Sequence, residues 1–303
     1  MWFLGAVAAF VVALGALMLF TASREAEARP VERFMHVHGL AAPAWAPGEL
    51  YVSTHQGLIH VDAEGNWRYV SRVNHDFMGF QAHPSEEGVL YSSGHPAPGS
   101  NLRNPVGFMV SRDSGATWQS IALEGQVDFH TVAVQRANGD AIYGWSGGLY
   151  RSLDGGRNWE ALPAEALAQA GGALSLAVHP EDQDTVLAGT QAGLLRSSDG
   201  GRSWERLFSE APVTAVAYGT ERAERIVAYG AQAEAGLLLS DDDGASWTRL
   251  DFALEDDAIG YIALHPEEQD SMYLGSYSES LYVTTNRGAT WQQLADGGVP
   301  QQP

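Results

Sequence analysis

Ser197-Ser198-Asp199-Gly200-Gly201-Arg202-Ser203-Trp204 reads Ser-x-Asp-x-Gly-x-x-Trp, and the same eight-residue unit recurs along the chain. Ser111–Trp118, Ser152–Trp159 and Ser240–Trp247 carry it with Asp113, Asp154 and Asp242, and Thr284–Trp291 keeps it with Asn286 in the acidic position. A worn copy ends at Trp67, where Asp62 still lies five residues ahead of the indole. The tryptophans fall at 67, 118, 159, 204, 247 and 291, at intervals of 51, 41, 45, 43 and 44 residues. Periods of this length mark a repeat architecture in which no single repeat can bury a core alone.

The residue types explain the recurrence. A short Asp accepts hydrogen bonds from the amides of its own turn, the glycine takes a backbone conformation that a Cβ resists, and the hydroxyl adds a further local bond. The indole supplies apolar area to a neighbouring repeat and a ring N–H that seeks a partner. Asp113, Asp154, Asp199, Asp242 and Asn286 therefore read as scaffold.

These five units resemble the Asp-box (BNR) repeats of sialidase-like β-propellers, a superfamily that includes sialidases, sortilin-type receptors and photosystem II assembly propellers. The resemblance covers nearly all of the chain after about Val31. It implies that the boxes lie at the turn between the third and fourth strands of each blade, on the face opposite the active or binding site. The opening His36-Val37-His38-Gly39 is also similar to the His-x-His-Gly start of a bacterial group labelled glycosyl hydrolases. One fold hosts many functions, so neither resemblance decides the activity.

Between the tryptophans, short strands alternate with Gly, Pro and Asp breaks, which predicts an all-β, six-bladed propeller of four-stranded antiparallel blades. Blade 1 reads as Phe34–Ala41, Leu50–Thr54, Leu58–Val61 and Trp67–Val70; blade 4 reads as Leu174–Val178, Val186–Gly189, Gly193–Ser197 and Trp204–Phe208. The ring is expected to close by packing blade 1 on blade 6. The predicted organisation is an anchor over residues 1–22, a tether over 23–30 and the propeller over 31–303.

Met1–Phe20 is an unbroken apolar run of the length that crosses a bilayer as a helix. It is longer than the core of a cleaved signal and lacks a basic lead-in, which favours an uncleaved anchor, although Ala26-Glu27-Ala28 resembles a cleavage site. The expected location of the propeller is the extracytoplasmic side of a membrane, periplasmic or extracellular. The 303 residues contain no cysteine and no lysine, and 37 acidic against 17 basic residues leave a formal charge of −20. Thiolate sites and disulfides are excluded, and nucleic acid is disfavoured as the main partner.

The ten histidines divide by position. His83, His179 and His265 each precede a proline at the end of a first strand, the mark of turn residues on the box face. His60 lies on a third strand and reads as a strand-surface residue. The other six, His36, His38, His55, His75, His95 and His130, all map to the opposite face and all come from blades 1 to 3. Alignment of the first strands on Ala41, Ala133 and Ala177 makes His38 and His130 equivalent to Gly79, Leu174, Thr214 and Gly260, while His55 and His95 each follow a second-strand tyrosine by four residues.

With no thiolate available, these six are the candidate ligands of a divalent transition metal, copper or zinc first, with Asp76 and Asp128 as candidate ligands or supporting carboxylates. The exposed-loop composition of Pro96–Pro105 suits either a lid over this face or an enlarged surface loop. Met35 and Met78 are expected to pack in the core. Two further function classes stay open. One is a glycoside hydrolase or metal-assisted hydrolase, for which Arg33, Arg72 and Arg103 are the arginines nearest the histidine face but no Tyr-Glu partner or facing carboxylate pair is identifiable. The other is a protein-binding propeller without metal. The expected partners are thus a metal ion, an envelope protein or a carbohydrate, with the membrane reached only through the amino-terminal segment.

Overall fold

A computed structural model describes residues 29–301 apart from 209–210, 221, 233–234 and 269. Most of the expected anchor and tether lies outside the described residues, and among those described no helix is long and apolar enough to cross a membrane. The chain forms six antiparallel sheets, each built from strands consecutive in sequence. The first strands of the blades, Val37–Ala41, Asp76–Ala82, Thr131–Val134, Ala173–Val178, Val213–Tyr218 and Ile259–Leu264, touch one another in turn and line the central channel. The architecture is a six-bladed β-propeller, as the tryptophan period predicts.

Closure follows from packing. Val31, Phe34, Val37 and Leu40 of blade 1 share a buried cluster with Ala263, Tyr273, Leu281 and Ala295 of blade 6. The Phe34 N–H donates to the Gly298 carbonyl at 2.9 Å, joining the two ends of the ring. Two terminal segments add to outer edges: Arg29–Pro30 pairs with Tyr69 and Arg68, and Val299–Pro300 pairs with Asp296 and Ala295. The last two residues of the expected tether are therefore strand. The first strand of blade 1 begins at Val37 rather than Phe34, because His36 adopts a positive φ of 56° that interrupts the extended run.

The turn units share one hydrogen-bond pattern. In Ser197–Trp204, the Ser197 Oγ donates to Asp199 Oδ1 at 2.9 Å and accepts from the Gly201 N–H at 2.8 Å. Asp199 Oδ1 accepts from the Arg202 and Ser203 N–H groups, while Oδ2 accepts from the Ser203 hydroxyl at 2.6 Å. Those bonds, led by the two from Ser203, hold the Asp199 carboxyl down at about 2. Asn286 keeps the same turn: its Oδ1 accepts from the Thr290 N–H, and its amide donates to the Thr290 hydroxyl where an Asp would accept. The indoles of Trp118, Trp159 and Trp204 donate back to the glycine carbonyl of their own turn, at 2.9–3.2 Å.

One irregularity repeats around the channel. Cross-strand register between the first and second strands skips His38 in blade 1, Gly79 and Phe80 in blade 2, Leu174 in blade 4, Thr214 in blade 5 and Gly260 in blade 6. Five of the six positions made equivalent by sequence alignment are thus β-bulges, while His130 of blade 3 lies just ahead of a ladder without a register shift. A bulge leaves one residue outside the ladder and re-aims its side chain, so five of the blades offer such a site at the same rim. The connection between blades 3 and 4 also holds a short helix, α1 (Glu165–Gln169), whose Leu167 is buried; this Ala-rich, helix-favouring stretch was not anticipated as an element.

Candidate metal centre

The bulge at His38 and the end of the adjoining strand, Leu50–Thr54, bring the first group of histidines together. One ring nitrogen from each of His36, His38 and His55 lies within 4.8 Å of the others. The rings of His38 and His55 meet edge to face at 4.4 Å, and those of His36 and His55 at 4.8 Å. His36 is carried there by its positive φ, and its N–H donates to Glu279 Oε1 of blade 6 at 3.2 Å. The site therefore draws on the seam where the ring closes.

Asp76, the first residue of blade 2, underlies the trio. Its Oδ2 is 2.6 Å from His55 Nδ1 and its Oδ1 is 3.2 Å from His38 Nδ1. His38 Nδ1 is also 3.2 Å from the Phe77 carbonyl. All of these neighbours are acceptors, so Nδ1 of both rings carries the hydrogen and Nε2 of each neutral ring keeps a lone pair. A carboxylate behind the distal nitrogens of two imidazoles is the arrangement that orients metal-binding histidines and raises their basicity. Burial opposes ionisation of Asp76, but the hydrogen bonds and field of His38 and His55 outweigh it and hold the carboxyl below its ordinary value. Its buried Oδ1 shares the His38 Nδ1 hydrogen with the Phe77 carbonyl, each at 3.2 Å.

His95 and His130 form a second group around Asp128 rather than joining the first. Asp128 Oδ2 lies 3.3 Å from His95 Nε2 and 3.6 Å from His130 Nε2. His95 also places Nδ1 2.7 Å from Asn104 Oδ1. His130 reaches the rim of the channel mouth together with His38, Gly79, Tyr261 and Tyr277, around a cavity of about 80 Å³. Of the six candidate ligands, His36, His38 and His55 thus gather at the boundary between blades 1 and 2, and His95 and His130 at that between blades 2 and 3.

His75 is turned to the backbone. It is 4% exposed, and its Nδ1 accepts the Ala97 N–H at 3.0 Å. Burial pushes its pKa down, which suits a neutral acceptor. With Asn104 on His95 and the Arg103 N–H on Glu124, it fastens the loop after Pro96 to the propeller. Leu102 of that loop packs with Phe77 and Phe80.

The remaining histidines are structural. His83, His179 and His265 each use Nδ1 to accept the N–H groups two and three residues on, at 2.8–3.2 Å. His60 is buried rather than on the strand surface: Arg68 donates to its Nδ1 at 3.2 Å, which obliges Nε2 to donate to Glu49 at 2.5 Å. Met35 is 48% exposed and has no core role, whereas Met78 is half-buried. The arginines do not assemble: Arg33 bonds the Gly297 carbonyl, Arg103 packs beside Gly125, and the Arg72 backbone joins the blade 2 turn unit at Ala116.

With this geometry established, likeness to known proteins becomes informative. A model of the Sortilin-Vps10 family, described as sortilin, neurotensin receptor 3, matches residues 107–236 and 235–302. The chain belongs to the Sortilin-Vps10 family. No curated protein matches it. Among solved structures, this Sortilin-Vps10 chain resembles the GH74 xyloglucanase of Xanthomonas campestris at 19% identity and a TM-score of 0.59, covering 89% of this chain and 47% of that one. It also resembles YCF48 bound to D1 peptide, at 16% identity and TM-score 0.54, with 90% and 87% covered. A putative gluconolactonase matches at 15% identity and TM-score 0.60, with 89% and 94% covered. The chain spans about half the length of the GH74 enzymes or less, and at these identities the likeness establishes the fold alone.

Proposed function

We propose that this propeller binds a divalent transition ion, copper or zinc, through His36, His38 and His55, and serves metal handling or the assembly of an envelope partner on the outer side of a membrane. The observation that carries the reading is the trio itself, three imidazole nitrogens within 4.8 Å with two Nδ1 atoms backed by Asp76. Ligand nitrogens about 2.0–2.1 Å from a tetrahedral ion lie roughly 3.3 Å apart. Side-chain rotation closes that gap, because His36 and His55 are exposed at the rim. The carboxylate of Asp76 completes the support from beneath. A propeller likeness that extends to a peptide-bound assembly protein and to carbohydrate-active enzymes fits a protein or carbohydrate partner.

Three histidines leave a fourth position open for water, which keeps metal-assisted hydrolysis as a second reading of the same site. Hydrolysis by a pair of free carboxylates has less support, since Asp76 and Asp128 are each committed to two imidazoles. Titration of zinc(II) and copper(II) into the metal-free protein, repeated with the His38→Ala, His55→Ala double variant, tests the proposal. Saturable one-site binding lost in the double variant is expected. Equal binding by both proteins overturns it.

A further inference from the structure

The chain enters the ring at a defined place. Arg29–Pro30 adds to the outer edge of blade 1, antiparallel to Trp67–Tyr69, with Arg29 opposite Tyr69 and Pro30 opposite Arg68. The Val31 N–H donates to the Trp67 carbonyl at 3.2 Å. Trp67 opens this fourth strand at the turn-unit end, and Tyr69 closes it at the histidine end. From Arg29 to Val31 the chain therefore descends from the histidine face toward the turn units.

Two contacts fix that entry. The Arg29 guanidinium lies over the Tyr69 ring, 5.3 Å from its centroid. The Tyr69 hydroxyl donates to Gln56 Oε1 at 3.3 Å. Gln56 follows His55 in the turn between the second and third strands, so one side chain joins the entry strand to the loop that carries a member of the trio. The sequence then limits how far the disc can turn. Only residues 23–28 separate the expected anchor, 1–22, from Arg29. Fully extended, a segment of that length reaches about 22 Å. A blade is about 17 Å deep along a strand such as Gly57–Val61, before its turn unit is counted. Seating the turn units on the bilayer would use that whole reach to carry the tether back past the blade. With the histidine face toward the membrane, the tether needs almost none of it.

We infer that the histidine face is held toward the membrane, where the ion on His36, His38 and His55 meets an integral membrane protein whose outer loops supply a further nitrogen or oxygen ligand. The inference rests on the metal reading above and on Met1–Phe20 as an anchor. Three imidazoles leave a coordination position open to such a donor. A formal charge of −20 favours a protein over an anionic lipid surface as the neighbour of this face.

The chain contains no cysteine, so single cysteines label it cleanly. Gln191→Cys and Ser198→Cys place exposed labels beyond opposite ends of one strand, Gly193–Ser197, the first on the histidine face and the second in a turn unit. The whole chain is reconstituted metal-free in liposomes of neutral lipid, and energy transfer is read from each label to an acceptor on the lipid headgroups. The Gln191→Cys label should transfer about twofold more efficiently or better, given the roughly 17 Å of strand between the two positions. Inserting about twenty Gly and Ser residues before Arg29, which adds about 25 Å of flexible reach, should erase the difference. In native membranes, a photocrosslinker on Gln191→Cys should form adducts with integral membrane protein that are lost in the His38→Ala, His55→Ala background. The inference is overturned if the chain does not stay with the liposomes, if the Ser198→Cys label transfers as well or better, if the insertion leaves the difference intact, or if the adducts are with lipid alone or survive loss of the histidines. Orientation is read without metal, so its failure is distinguishable from failure of the metal reading, which the titration shows.

Discussion

Asp76 Oδ2 lies 2.6 Å from His55 Nδ1 across the boundary between blades 1 and 2, so the support for the histidine trio comes from a different repeat than the trio's own strands. Removing that carboxylate should weaken metal binding without removing a ligand. Asp76→Ala is expected to lower zinc or copper affinity by about 10- to 100-fold, the usual cost of losing a partner that orients ligating histidines. Asp128→Ala, at the second histidine group, should leave that affinity within about twofold. Calorimetric titration of both variants checks this, and equal losses would mean that the two groups act as one site.

Closure predicts a contrast between two adjacent glycines. A Cβ on Gly298 would sit 2.0 Å from the Phe34 carbonyl oxygen, whereas one on Gly297 meets nothing within 4 Å. Both have positive φ, at 77° and 50°. Gly297→Ala should cost about 1 kcal/mol for the backbone alone. Gly298→Ala should cost at least about 2 kcal/mol more, because blade 1 must move off blade 6. Urea unfolding of the two variants measures the difference. Equal costs would place the seam elsewhere.

The period of Trp67, Trp118, Trp159, Trp204, Trp247 and Trp291 made the blades countable, since each repeat must supply the same turn chemistry to pack on its neighbours. The same logic made His38 and His130 equivalent, and His38 proves to sit in a bulge. What alignment does not carry is side-chain direction. His38 and His130 share a rim position yet turn to different aspartates, because His38 faces Asp76 at the start of the next blade, whereas His130 faces Asp128, two residues ahead of it in its own blade. His75 and His95 are neighbours of the trio in sequence, but one is spent on the Ala97 amide and the other on Asn104 and Asp128. His60 looked exposed because its strand alternates; Arg68 and Glu49 bury it in a polar chain that no local pattern signals.

Trp204 is half-buried, packing beside the blade 3–4 cluster and bonding the Gly201 carbonyl at 3.2 Å. Trp204→Ala should therefore destabilise by about 2 kcal/mol, below the roughly 3–5 kcal/mol of a fully buried ring. Because the turn units face away from the histidines, metal affinity of the folded variant should not change. Chemical denaturation and a zinc titration on the same sample test both halves, and a shifted affinity would couple the two faces.

Stability should fall in mild acid through the turn histidines. Burial lowers the pKa of His83 and of His265, with nearby glutamates only partly opposing it. Each ring accepts two backbone N–H groups at Nδ1, an arrangement that protonation there would destroy. The unfolded chain, with histidines near about 6.5, binds these protons first. Their contribution is thus complete above about pH 6.5 and is lost as pH falls from there toward the lowered folded values, at no more than about 1.4 kcal/mol per pH unit for each group. The turn-unit aspartates act later: Asp199, held at about 2, gives up its share only below the ordinary carboxylate range near pH 3.8. Melting temperatures of the chelator-treated protein should accordingly drop between pH 7 and 5, hold a shallower course, and drop again below pH 4. In the His83→Asn, His265→Asn double variant the amide oxygen can accept the same N–H groups without titrating, so the first drop should shrink. A wild-type melting temperature that is flat from pH 7 to 5, or an unchanged slope in the double variant, would show that these rings are not held neutral by the fold.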